Sequence, residues 1–259
     1  MEKRNFIIPE FGPLAGLRVI GAGSLIAMPF AATMMADFGA EVIQIERPKI
    51  GDTYRSFPPL KKTEQGTAGS SWMQDARNRL SMTLELDLND PDVKEIFFRL
   101  IERSDIFIEN MVWLDKLGIH DSELLKINPR LVIVHVSGYG HKEFGGLPEI
   151  CDQASYDMTS QAYSGYALFN GYPDRDPLIV KPSLGDYITA LFALFGMLSA
   201  HISAKNTGRG QVVDVSQFEA QARVMRDAFT MSSLGLAEVQ RCGTKAIGFQ
   251  PWDLFPSRD

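Results

Sequence analysis

The acidic residue in the most suggestive setting is Asp186, in the stretch Lys181-Pro-Ser-Leu-Gly-Asp-Tyr187, where an apolar run with helical spacing begins. Two roles are open to it. A carboxylate in the first turn of a helix is favoured by the helix dipole, which is a purely structural role. The same field keeps the group ionised, the form that a nucleophile requires. Gly185 carries no side chain and is expected to let a ligand approach. A second candidate is Gly21-Ala-Gly-Ser24, lying between an expected strand and helix, with Glu46 closing the next strand. This is most of the dinucleotide fingerprint GxGxxG, in which glycines admit a pyrophosphate and an acid binds the ribose. Ile26 stands where the third glycine or alanine belongs, so a plain tight turn is the favoured reading and no nicotinamide cofactor is expected.

Arg47, Lys49, Arg55, Arg77, Arg79 and Lys116 fall near expected strand ends or in adjacent loops, as phosphate partners or as solvated surface charges. His120, His135, His141 and His201 share no metal-ligand spacing, and Cys151 and Cys242 form no CxxC pair, so neither a metal nor a disulfide framework is expected. His135, inside an apolar strand, reads as a core residue. No GxSxG elbow supports serine hydrolysis.

The elements that must position these residues alternate. Leu17 to Ala22 reads as a buried strand, Met28 to Phe38 as a helix ending at Gly39, and Glu41 to Glu46 as a strand, the spacing of a βαβ unit. Residues 48–71 read as a long surface excursion. Ser81 to Leu88 alternates like a half-exposed strand, followed by a helix capped by Asn89 or Asp90 with Pro91 in its first turn and a stripe of Val93, Ile96, Phe97, Leu100 and Ile101. Asp105 to Glu109 is a strand, Asp121 to Ile127 a helix, and Leu131 to Val136 a strand running into Ser137-Gly-Tyr-Gly140. The alternation predicts an α/β fold with an open, Rossmann-like, mainly parallel sheet and flanking helices. Helices are expected over 156–166, 185–204 and 216–234, with a short strand over 212–215. The face of the second is expected to comprise Ile188, Leu191, Phe192, Phe195, Leu198 and Ile202. Residues 252–259 read as a strand with no returning partner. The expectation is therefore a large domain over 1–235, the start of a smaller one over 236–259, and a chain that is part of a longer protein.

The 259 residues are 45% hydrophobic and 22% charged, ordinary globular usage. With 26 Lys and Arg against 32 Asp and Glu, the net charge of −6 leaves no surplus of cations for a phosphate backbone, and nucleic acid is not expected as a partner. The apolar run Leu191 to Ala200 is about half the roughly 20 residues that span a bilayer, so a buried helix and no membrane are expected. The lead MEKRNFIIPEFG has no apolar signal-peptide core, and a reducing cytoplasm is the expected location.

Six stretches in order carry a resemblance: Pro13-Leu-Ala-Gly-Leu-Arg-Val-Ile20; Phe38-Gly-Ala-Glu-Val-Ile-Gln-Ile-Glu-Arg-Pro48 with Gly51-Asp52; Ser104-Asp-Ile-Phe-Ile-Glu-Asn110; Asn128-Pro-Arg-Leu-Val-Ile133 with Ser137-Gly-Tyr-Gly140; Gly185-Asp-Tyr187; and Thr207-Gly-Arg-Gly-Gln-Val-Val-Asp-Val215. Over residues 13 to about 235 the chain resembles the class III, or CaiB/BaiF, CoA-transferases. Phe11-Gly-Pro-Leu-Ala-Gly-Leu-Arg-Val19 and Gln161-Ala-Tyr-Ser-Gly-Tyr166 are most similar to the carnitine and bile-acid branch.

The resemblance implies a nucleophilic Asp186, coenzyme A as an acyl-CoA substrate, a carboxylic acid as acceptor, and two subunits interlinked like chain links. It implies a covalent route through an aspartyl mixed anhydride and an aspartyl-CoA thioester, with water excluded. CoA contacts carried over are Ile26, Ala27, Arg47, Leu86, Asp87, Leu88, Asn89, Asn110, Met111, Val112 and Lys116, with the Ser137, Gly138, Tyr139 and Gly140 loop supplying backbone donors. Lys116 and Asn89 depart from the arginine and lysine common at those places, and the segment between Asn110 and Asp115 is about two residues shorter. The acceptor class stays open between a carnitine-type acid, a bile acid and a 2-hydroxy acid, with Trp72, Tyr163 and Tyr166 available to face a quaternary cation. Racemases of the same fold use a His and Asp pair, for which His141 is a candidate base, and a non-catalytic CoA-ester-binding subunit is a third reading.

Overall fold

A computed structural model of the chain describes residues 5–64, 66–246 and 248–258. Strands β1 (Arg18–Ala22) and β2 (Glu41–Glu46), joined by helix α1 (Ala27–Asp37), form the expected βαβ unit. The chain then makes a small antiparallel hairpin, β3 (Leu60–Thr63) and β4 (Gly66–Gly69), and a short helix α2 (Ser70–Asp75), within and just after the long surface excursion expected over 48–71. Strand β5 (Leu80–Thr83), helix α3 (Pro91–Glu102), strand β6 (Ile106–Glu109), helix α4 (Asp121–Ile127) and strand β7 (Val132–Ser137) follow. Short helices α5 (Asp157–Tyr163) and α6 (Tyr166–Phe169), the long helix α7 (Leu184–Thr207), strand β8 (Gln211–Ser216) and helices α8 (Gln217–Val224) and α9 (Ala228–Ser233) complete the order.

The six-stranded sheet runs β5-β2-β1-β6-β7-β8, and every pairing is parallel. Parallel strands need both faces covered, and these strands are correspondingly apolar on both sides. On one face, α1 and α7 pack over Val19, Val42, Ile106, Ile108, Val132 and Val134. On the other, Phe97 and Ile101 of α3 and Leu124 of α4 cover Ile20, Ile45, Phe107 and Ile133. In order of appearance within the sheet the strands run 3-2-1-4-5-6, so the order reverses between β1 and β6. That switch point opens the ligand crevice at the carboxyl ends of the strands.

Several boundaries differ from expectation for physical reasons. β5 stops at Thr83; Leu84 and Leu86 are wedged against the core beside buried Leu88, and alternation alone does not separate such a segment from a strand. Phe97 and Ile101 are buried as expected, but Ile96 is 41% exposed. The helix expected over 156–166 breaks at Gly165, with φ +80°, and that over 216–234 breaks around Arg226, with φ +57°. Residues 252–258 form no strand.

The largest correction concerns α7. Its buried face is Gly185, Thr189, Ala190, Ala193, Met197, Ala200 and Ala204, small residues at helical spacing that let it approach α1 and the sheet closely. Of the bulky face expected, Leu191 (50% exposed), Phe195 (73%) and Ile202 (59%) are turned out, whereas Leu198 packs against the core and Ile188 and Phe192 are half-buried. The helix is also longer than the apolar run suggested, 24 residues with an 18-residue window of mean hydropathy 1.5, long and apolar enough by composition to cross a membrane. Its small-residue face lies on the sheet, the position of a helix covering a parallel layer.

Candidate active site

At the switch point lies a cavity of about 180 Å³. Its wall is built from the turns after β1, β6 and β7, the segment 153–156, Asp186 at the start of α7 and Gln217 at the start of α8. The turns are tied to one another. The Asn110 side chain accepts the Ser24 N–H (3.0 Å) and donates to the Ser24 carbonyl (2.9 Å), while Asp52 Oδ1 accepts the Leu25 N–H (3.1 Å). Gly23 has φ +142°, and a Cβ there would sit 1.8 Å from Asn110 Oδ1. The glycine of the β1 turn is therefore required by the protein's own asparagine.

Asp186 owes its environment to two partners distant in sequence. Asp157, at the start of α5, accepts the Gly185 N–H (2.7 Å) and the Asp186 N–H (3.3 Å) through Oδ1, and its Oδ2 accepts Gln161 Nε2 (2.9 Å). Asp157 thus takes the orphan donors of the α7 N-terminus that a first-turn acid would otherwise share. Among the described residues a single side-chain donor, Gln217 Nε2, reaches the Asp186 carboxylate. Burial first, and then the Asp157 charge, push the Asp186 carboxyl up to about 7, with the Gln217 hydrogen bond pulling it back. This corrects the expectation that the helix terminus holds it fully ionised. Gly185 is also reassigned: a Cβ would meet Gln221 Nε2 at 2.5 Å, so packed protein fills the space expected for a ligand. Ser183, the residue capping α7, has φ +31°, a strained value for a side-chain-bearing residue.

Two histidines converge near the same strand ends. His135 on β7 has Glu109 Oε1 at 2.7 Å from Nδ1 and Asp121 Oδ2 at 3.0 Å from Nε2. Carboxylates facing both ring nitrogens require both to donate; burial lowers its pKa but these bonds outweigh it, pushing it up to about 10. His141 lies 5.1 Å away, ring to ring, donates from Nδ1 to Asp214 Oδ1 (2.6 Å), and lines the cavity. The core role expected for His135 holds, in a charged rather than apolar setting.

A separate knot surrounds Glu46. Its carboxylate accepts Arg55 Nε (2.8 Å) and Nη2 (2.6 Å), the Ser81 hydroxyl (2.7 Å) and the Asp52 N–H (2.8 Å). Burial alone would raise its pKa, but the bonds from Arg55, Ser81 and Asp52 hold it below the usual carboxylate range. A ribose finds no open acceptor there, which disposes of the dinucleotide reading. Among the cations singled out, Arg55 is spent on Glu46, Arg77 pairs with Asp37, and Arg79 is buried beside Gln44.

The expected CoA contacts separate into two groups. Ile26, Ala27, Asn110, Met111, Val112, Ser137 and Gly138 line the cavity with Asp186. Tyr139 packs instead against Tyr163 and Phe218, and the Gly140 N–H is taken by Ser137 Oγ (2.8 Å), so it is not an oxyanion donor in this arrangement. The second group is a rim outside the cavity. Asn89 Nδ2 donates to Asp87 Oδ1 (2.8 Å) and the Lys116 carbonyl (3.0 Å), Leu88 N–H donates to the Leu117 carbonyl (2.8 Å), and Leu86 packs partly buried beside them. Lys116 Nζ lies 5.1 Å from the Trp113 ring, and Arg47 is exposed, 3.7 Å from Glu85. Arg47 and Lys116 thus lie outside the cavity lining, Arg47 beside Glu85 and Lys116 over Trp113, whereas the side chains of Leu88 and Asn89 are engaged in the fold. The aromatic set proposed for a quaternary cation is not at the cavity: Arg55 stacks on Trp72 at 4.2 Å, Tyr163 meets Phe218 edge-on at 5.4 Å, and Tyr166 lines a different pocket. Asp157, Gln217 and Asp214 carry no local sequence signature and were missed.

A Rossmann-ordered sheet whose switch-point cavity is lined by a half-buried Asp186, the one carboxylate among the described lining residues, defines an α/β protein with a candidate nucleophile. The chain belongs to CoA-transferase family III, which its residues 14–259 match. It is 43% identical over 219 residues to the bile acid CoA-transferase BaiK of Clostridium scindens, covering 84% of this chain and 46% of that protein. It is 36% identical over 254 residues to the succinyl-CoA–L-malate CoA-transferase alpha subunit of Chloroflexus aurantiacus, covering 95% of this chain and 56% of that protein. A crystal structure of a CaiB/BaiF family protein from Brucella suis superposes with a TM-score of 0.83 at 28% identity, over 93% of this chain and 63% of that one. The chain spans about half the length of the curated relatives it matches.

Proposed function

We propose that the full-length protein transfers CoA from an acyl-CoA thioester to a free carboxylic acid, with Asp186 as nucleophile. The observation that carries this reading is a carboxylate at the switch-point cavity with one hydrogen-bond donor and a pKa raised to about 7. Gln217 holds Oδ1, leaving Oδ2 to attack the thioester carbonyl carbon. The small cavity suits the thioester end of the substrate, with Arg47 and Lys116 on the rim facing the phosphates. Overall, one thioester is traded for another of similar energy, so the exchange needs exclusion of water rather than an energy source. Two of the relatives are named for bile-acid and malate substrates, and a bile acid or a 2-hydroxy acid suits the absence of an aromatic cage among the described cavity residues. Residues 236–259 belong, in this reading, to the start of a smaller domain, the whole protein is an interlinked homodimer, and it works in the cytoplasm.

The test is to incubate the full-length protein with a panel of acyl-CoA donors and hydroxylamine, then map modified peptides by mass spectrometry. A donor-dependent hydroxamate on Asp186 is expected. CoA-ester binding without any Asp186 adduct, together with deuterium exchange at the substrate α-carbon, would move the assignment to racemisation.

A further inference from the structure

The proposed exchange generates an anion at each stage. The Asp186 oxygen attacks the thioester carbon; a C–O bond forms, the C–S bond breaks, and its electron pair leaves on sulfur as thiolate. The thiolate then attacks the Asp186 carbonyl carbon; a C–S bond forms, the bond between that carbon and the bridging oxygen breaks, and its electron pair leaves on that oxygen, released as the acyl group's carboxylate. No proton is exchanged. One negative charge passes from Asp186 to sulfur to carboxylate, and its displacement into a partly dry cavity calls for a fixed cation there. Among the described residues that line the cavity there is no lysine or arginine, and the one side chain able to carry positive charge is His141.

Resting on that reading, we infer that His141 is a further catalytic residue: its imidazolium Nε2–H donates to the thiolate and then to the carboxylate released in the exchange. The geometry prepares it for this. Asp214 on β8 receives both Nδ1–H (2.6 Å) and the His141 backbone N–H (3.1 Å), fixing the ring and its tautomer. Nε2 has no partner among the described residues, and the side chain is 27% exposed. His141 and Asp186 line the same cavity, and His141 is paired with Asp214 rather than with Asp186. The Asp214 hydrogen bond raises the His141 pKa; burial opposes this, the Asp214 charge adds to it, nearby His135 opposes it, and Glu109 adds to it. His135 cannot share the role, since carboxylates hold both of its ring nitrogens.

The experiment uses the full-length protein, with the acyl-CoA donor that labels Asp186 best in the hydroxylamine assay. H141Q, which keeps a neutral amide of similar reach, is expected to slow transfer by about 10²–10³-fold. H141A is expected to be equally slow and to be partly rescued by free imidazole, with the rescue following the imidazolium form as pH is varied. A merely structural histidine would show no such rescue. Transfer by folded H141Q within about threefold of wild type overturns the inference, as does a slow H141A that imidazole leaves unchanged at every pH. Absence of any Asp186 adduct in the wild type overturns the transfer reading and this inference together, whereas a wild-type adduct with full-speed H141Q overturns the inference alone.

Discussion

Glu46 and Asp186 are both carboxylates near the mouth of the same sheet, and their surroundings differ in every respect that governs reactivity. Glu46 receives four donors, two of them from one guanidinium, and its pKa is held down. Asp186 receives one side-chain donor, has a second carboxylate behind it, and its pKa is pushed up to about 7. Saturation with donors makes a carboxylate a structural clamp, fixing the 52–56 turn and through Asp52 the cavity wall. Starvation of donors leaves lone pairs for chemistry, at the expense of stability. The sequence singles out both, Asp186 at a helix start and Glu46 within most of a nucleotide-binding spacing, but neither local context shows how many donors each carboxylate receives.

The comparison breaks most sharply under substitution. D186N is expected to abolish transfer, by about 10⁴-fold or more in rate, while leaving thermal stability equal or higher. The sign follows from linkage: a carboxyl with a raised folded pKa has its full stabilising effect below 3.8 and loses it as pH rises toward about 7. The melting-temperature gap in favour of D186N should therefore widen across that interval. E46Q is expected to do the opposite, destabilising the fold by about 2–4 kcal/mol at neutral pH because it strands a partly buried Arg55. Since the Glu46 pKa is lowered, that stability is present above 4.5 and lost as pH falls through the folded value, so wild type and E46Q should converge in acid. Denaturant melts at several pH values check both.

Finer substitutions tune Asp186 alone. Q217L removes the one donor favouring the ionised form, so the acid limb of the pH–rate profile should move about one unit upward and the rate at pH 7 fall roughly fivefold. D157N removes the charge that raises Asp186 and should move the limb the other way by less than about one unit; an asparagine still accepts from the helix terminus, so the loss of stability should stay near about 0.5–1 kcal/mol.

Much of the fold was legible because its signals are local. β2 and α4 fall on the expected bounds. Of the two caps expected for α3, Asn89 or Asp90, it is Asp90 that accepts the Asp92 and Val93 N–H groups. The orientation of α7 was not legible, since bulk points to Leu191 and Phe195 whereas close packing on the sheet selects the alanine face. The resemblance brought Asp186 forward, but not its control: Asp157 and Gln217 stand 29 and 31 residues away and meet it only because α5, α7 and α8 converge. His141 and Asp214, 73 residues apart, are joined by the pairing of β7 with β8.

The central claim, that the donor-poor Asp186 is the reacting carboxylate, is tested most directly by rapid-mixing measurement of CoA release from an acyl-CoA donor in a single turnover of the full-length protein across pH 5 to 9. The account predicts a rate that rises with pH and levels off through a pKa of about 7, with D186N inert at every pH. Release that is as fast in D186N as in the wild type would contradict it.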